Sequence, residues 1–198
     1  MKILSIDQAR NGAWAVFDYE KKKLETHGTF SYGNKDYTYA KAILAIESLI
    51  DTIIKAYNIS VIFIEDIQLR VNIQSFKKLA QLQGVLINLF EKNEYLYDFI
   101  APTQWQNYCM ARSRSSKEIK EKIKALEASG KKESKILSIQ AAKEMYDIDT
   151  DNDNLADAIM IGHYAINNYD ICRDADGKIK IKKKKSNLER KSKNGKGK

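Results

Sequence analysis

Apolar positions change period several times along the chain, and each change marks an element. Ile3, Leu4 and Ile6 form a dense apolar run that stops at Asp7, which predicts a short buried strand over residues 2–7. Asn11-Gly12 is a turn signal, and residues 13–17 resume the strand pattern. Residues 23–31 alternate loosely as a third strand, closing an antiparallel meander that Gly33-Asn34 breaks. From Tyr37 to Tyr57 the apolar residues Ala40, Ile43, Leu44, Ile46, Leu49, Ile50, Ile53 and Ile54 fall at helical spacing. Residues 61–65 form a dense strand ending at Glu65, and Ser75 to Lys92 is helical again. Tyr95 to Ala101 reads as a fifth strand closed by Pro102. Beyond it the pattern is helical over 116–128, 134–146 and 153–168.

Three meander strands followed by two strands joined through helices is the RNase H-like order. The expected fold is α/β, a mixed five-stranded sheet flanked by helices. Its last two strands run parallel and are buried on both faces, which suits the Val61–Ile64 run. At 198 residues one domain is expected, here residues 1–170. No apolar run approaches the ~20 residues of a membrane span. One Lys followed by strand pattern at the N-terminus does not read as a signal peptide. Cys109 and Cys172 read as two free thiols in a reducing compartment, without structural zinc.

The net charge of +8 is unevenly placed. Residues 173–198 hold 12 Lys/Arg against three Asp/Glu, while the rest of the chain has a balance of −1. Residues 171–198 therefore read as a disordered basic tail suited to nucleic acid, with Lys182, Lys183, Lys184 and Lys185 as backbone contacts. A merely solubilising tail is the alternative.

The chemistry is carried by acids. Asp7 and Glu65 end two strands that should be neighbours, and ligand sites in open α/β sheets lie beyond such ends. Asp153 and Asp157 are four apart, one turn along the same helix face, with Asn154 between them on that side. Asp153 has a second explanation as a helix N-cap. Asp157, inside the helix between Ala156 and Ala158, needs a partner to be there. Carboxylates so placed can hold divalent metal, which activates water against a phosphodiester. The alternating acids from Asp147 to Asp153 do not make a calcium loop, because either register lacks the Gly and Glu that loop requires. With two histidines in the chain, a His cage is disfavoured. The chain has no phosphate-binding Gly-rich motif.

From Lys2 to about Tyr169 the chain resembles the RuvC-like Holliday junction resolvases, in particular divergent phage members. The resemblance lies in Ile3-Leu4-Ser5-Ile6-Asp7, Phe63-Ile64-Glu65-Asp66, Gln81-Leu82-Gln83-Gly84-Val85, Ala101-Pro102-Thr103-Gln104-Trp105 and Leu155-Ala156-Asp157-Ala158-Ile159. It implies a magnesium-dependent endonuclease, homodimeric, that resolves four-way junctions and related three-way or forked DNA by paired nicks. Each site would hold two Mg2+, replaceable by Mn2+, on Asp7, Glu65, Asp157 and either Asp153 or Asn154. The expected location is the cytoplasm, that of the host if the chain is phage-encoded. The family pair D-x-x-D departs here to Asn154, and Asp153 is favoured as the fourth ligand. An aromatic that the family often places after the second acid is replaced by Gln68, Leu69 and Arg70. Arg70, Arg112, Arg114 and Lys135 are expected to contact DNA, Lys135 near the scissile phosphate. The apolar residues Phe76, Leu79, Leu82, Leu86 and Phe90 offer either a dimer surface or core. The competing functions are a nuclease-inactive branched-DNA binding protein and a generalist flap or fork nuclease.

Overall fold

A computed structural model of the chain describes residues 1–8, 11–31, 38–69, 72–111 and 133–184. Five strands form one sheet: β1 (Lys2–Asp7), β2 (Asn11–Asp18), β3 (Lys23–Ser31), β4 (Ile59–Glu65) and β5 (Tyr97–Ile100). Their order is β3-β2-β1-β4-β5. The meander pairs antiparallel, and β4 and β5 add parallel to β1. This is the expected mixed sheet, with β1 and β4 side by side at its centre.

Side-chain alternation sorts the sheet into two layers. Leu4, Ile6, Val16, Ile62 and Ile64 face a core made with two long helices, α1 (Tyr39–Tyr57) and α2 (Ile73–Lys92). Ile3, Ala13, Ala15, Phe17, Val61 and Phe63 face the opposite core. That second layer is covered by α3 (Pro102–Tyr108), α4 (Glu133–Tyr146) and α5 (Asp153–Asn168). Leu82, Leu86 and Phe90 of α2 are buried in the first core. In the single chain, that part of the candidate dimer stripe is core.

α5 lies close on the sheet because its inner face is small. A Cβ at Gly162 would come within 2.1 Å of the Phe17 ring and 2.7 Å of Ser5 Oγ. The Ser5 hydroxyl donates to the Ala158 carbonyl at 2.7 Å, tying β1 to the helix.

The chain stays ordered beyond residue 170, where a disordered tail was expected to begin. β6 (Tyr169–Arg173) and β7 (Ile179–Lys183) form an antiparallel hairpin. Ile171, Ile179 and Ile181 pack on the α5-side core, and the Tyr19 hydroxyl donates to the Tyr169 carbonyl. Lysines at Lys178, Lys180, Lys182, Lys183 and Lys184 dominate the composition and mask this apolar alternation. Residues 185–198, and the helix expected over 116–128, lie outside the described residues. Among the described residues no helix is long and apolar enough to cross a membrane.

Candidate active site

The parity of the strands places the acids. Asp7 follows Ile3 and Ser5 in the odd positions of β1, and Glu65 follows Val61 and Phe63 in those of β4. Both therefore point to the α5 layer rather than the α1–α2 layer. The parallel register sets Ile6 opposite Ile64, so the next residues, Asp7 and Glu65, leave the sheet side by side. They open into a cleft of about 420 Å3 shared with Gln8, Lys135, Asn154 and Asp157. A larger groove of about 770 Å3 runs between the β2–β3 turn and the end of α4, but it gathers no strand-end carboxylate.

Within the cleft Asp7 is 4% exposed. Glu65 is oriented by Trp105, whose indole Nε1 donates to Glu65 Oε1 at 2.8 Å. Trp105 is buried and sits on α3, a seven-residue helix started by Pro102 at its first turn. The sequence pattern shows the segment but not this helix or its bond to the acid. The available signal was a Pro at a helix start followed by a Trp, whose N–H needs a partner when buried. Gln8 Nε2 donates to the Glu65 carbonyl at 2.8 Å.

The N-terminus of α5 resolves the roles of its first residues. Asn152 caps the helix, its side chain accepting from the backbone N–H groups of Asn154 and Leu155 at 3.0 and 3.2 Å. Asp153 is thus not the N-cap. Asn154 and Asp157, three apart, line the cleft, and Asp153 is not among its lining residues. Its carboxylate instead makes an ion pair with Lys135 of α4, whose side chain does line the cleft. The residue expected as the fourth ligand, Asp153, thus pairs with Lys135 in this structure, while Asn154 lines the cleft. A helix turn advances 100° per residue, so the residue three before Asp157 shares its side with it as well as the residue four before.

Of the residues expected to meet DNA, Lys135 is at the cleft. Lys182, Lys183 and Lys184 follow the far end of α5, about 24 Å of helix from its first turn. There Lys184 Nζ donates to the Asn167 carbonyl at 3.0 Å, and Lys183 lies over the Tyr164 ring. Arg70, Arg112, Arg114 and Lys185 lie outside the described residues.

Behind the cleft, burial pushes the Cys109 thiol up to about 12, so it is an inert core group. His163 of α5 is held below the ordinary imidazole value by burial, with its Nδ1 2.7 Å from the Tyr146 hydroxyl of α4.

The cleft's donor set suits a hard divalent cation. It offers four carboxylates, those of Asp7, Glu65, Asp66 and Asp157, with the Asn154 carboxamide and Gln8 Oε1, a buried oxygen with no hydrogen-bond partner among the described residues. Oxygen donors of this kind match magnesium or manganese rather than zinc. Among the described residues no three acid, His or Cys side chains are drawn together as a finished cage. The arrangement is an open cleft whose walls carry donors.

Comparison with known proteins agrees with this architecture. The family model described as crossover junction endodeoxyribonuclease RuvC matches residues 3–161, a span containing all the cleft acids. The crossover junction endodeoxyribonuclease RuvC of Sulfurovum sp. (strain NBC37-1) is 30% identical over 120 residues, 60% of this chain and 75% of that protein. The fold is shared with Thermus thermophilus RuvC at a TM-score of 0.61 and 12% identity, over 83% of this chain and 92% of that one. The yeast mitochondrial Holliday junction resolvase superposes with a TM-score of 0.52 at 13% identity, over 83% of this chain and 78% of that one. The extent of the family match, together with two strand-end acids and a helical Asp around one cleft, establishes that the chain belongs to the RuvC family of crossover junction endodeoxyribonucleases.

Proposed function

We propose that this chain is a magnesium-dependent, structure-selective endodeoxyribonuclease. It resolves Holliday junctions and related branched DNA by paired nicks, acting as a homodimer. The observation that carries the reading is the convergence of Asp7, Glu65, Asp157 and Asn154 on one cleft in a chain of this family. Two magnesium ions, or manganese in their place, would supply an activated water and a stabilised leaving 3′-oxygen. The Asp7, Glu65 and Asp157 carboxylates with the Asn154 carboxamide oxygen would hold them. Trp105 keeps Glu65 in one orientation, and Lys135 supplies positive charge on the cleft wall for the entering phosphate. Two such clefts in a dimer would address two strands of a four-way junction symmetrically. Residues at the far end of α5, Lys182 to Lys184, would hold an arm by its phosphates without reading sequence.

The test is incubation in magnesium with labelled four-way, three-way, flap and duplex DNA. Paired symmetric nicks on the four-way substrate are expected. Asp7→Asn and Glu65→Gln should each reduce cleavage by about 10³-fold or more while junction binding persists. Parent-rate cleavage by either variant would refute the metal-site assignment. Binding without nicks would make the protein a branched-DNA scaffold, and broad nicking a generalist nuclease.

A further inference from the structure

A lysine in a cleft walled by carboxylates has an obvious wrong partner. If the Lys135 ammonium turned inward, it would pair with Asp7, Glu65 or Asp157 and occupy the space a divalent cation needs. The structure turns it the other way, onto Asp153, which lies outside the cleft lining. Asp153 is spared for this because Asn152 performs the capping of α5. Its carboxylate is mostly covered, 18% exposed, while the Lys135 side chain is 44% exposed and open to an incoming ligand. An ammonium has three donors, so it can keep Asp153 and add a phosphate oxygen.

We infer that Asp153 is a positioning residue for Lys135. It holds the ammonium on the cleft wall, away from the acids and facing the place a DNA phosphate enters. The inference rests on the proposed nuclease reading and deepens it. A free lysine side chain loses much rotamer freedom when it binds, and one already held by a carboxylate loses less. Asp153 therefore acts on substrate through Lys135 and not as a metal ligand. An ion pair that only fastened α4 to α5 would affect melting and leave substrate and metal binding untouched.

The experiment compares the parent protein with Asp153→Asn, Asp153→Glu, Lys135→Ala and the Lys135→Ala/Asp153→Asn double variant. Three quantities are read: Mn2+ affinity by calorimetry without DNA, four-way junction affinity with Ca2+ replacing Mg2+, and cleavage rate in Mg2+. Asp153→Asn and Lys135→Ala should each weaken junction affinity and the second-order cleavage constant by about tenfold. The double variant should be no worse than Lys135→Ala, and Asp153→Glu should recover most of the loss. Mn2+ affinity should not change in Asp153→Asn. A tenfold loss of Mn2+ affinity, additive losses in the double variant, or parent behaviour in Asp153→Asn would overturn the inference. Asp153→Glu keeps the charge and carries the test if Asp153→Asn loses its fold: a weakened Mn2+ affinity there would equally count against it. If the parent nicks no branched DNA, the nuclease reading falls, while the calorimetry and junction-binding comparisons still decide what Asp153 does.

Discussion

At the scale of single residues, the cleft separates groups that carry charge from groups that aim it. Glu65 is one of the former and Trp105 one of the latter. Trp105→Phe keeps the aromatic volume in the core and removes only the N–H that fixes Glu65. The expected result is a 10- to 100-fold rise (to order of magnitude) in the Mn2+ concentration needed for half-maximal cleavage, with little change in junction affinity. Unchanged metal dependence would mean that Glu65 is held by its strand alone. Asp7 and Glu65 were legible in sequence because an acid that ends an apolar run has a definite address at a strand end. Asp157 was legible because a carboxylate between two alanines in a helix needs a reason. Which of Asp153 and Asn154 lines the cleft was not legible. Both share a side with Asp157, and the deciding facts, Asn152 as cap and Lys135 as partner, come from capping geometry and from another helix.

Among the elements, α5 is the one on which the site depends. It is pressed onto β1 and β2 where Gly162 meets Phe17 and Ser5. Gly162→Ala should destabilise the fold by about 1–3 kcal/mol through overpacking, measurable as a lowered denaturant midpoint, and should move Asp157 away from the strand-end acids. A midpoint equal to the parent's would show that the layer relaxes freely. The contact between α4 and α5 has a pH sense. Burial lowers the affinity of His163 for a proton in the folded chain, so the unfolded chain binds more protons as acidity rises. Its contribution to stability is therefore fully present above the ordinary imidazole value of 6.5 and is lost as pH falls through the lower folded value. Thermal melts taken from pH 7.5 down to pH 5 should show a falling midpoint that flattens in His163→Gln; the same slope in both proteins would exclude this source. Most of these elements could be read from apolar period. α3 escaped because seven residues are too few to show a helical period. β7 escaped because its lysines hide two alternating apolar positions, and the short β6 because it runs directly on from α5 into that lysine-rich segment.

For the whole molecule, the folded body reaches Lys184, so a truncation test must respect the hairpin. Cutting after Asp170 would remove Ile171, Ile179 and Ile181 from the core and confuse folding with binding. Truncation after Lys184 removes only residues 185–198, which carry six Lys/Arg and one Glu. Junction affinity should fall for all sequences alike, and the slope of its logarithm against log salt should become shallower by several units. Equal affinity and slope in the truncated protein would assign that segment no role in binding. Because odd positions of β1 and β4 face α5 and even positions face α1 and α2, the acids belong to the chemistry layer by count rather than by kind. One residue inserted before Asp7 would carry its carboxylate through the sheet into the hydrocarbon of the other layer. The strands leading to the cleft should thus accept exchange of one apolar residue for another far more readily than any change in their length.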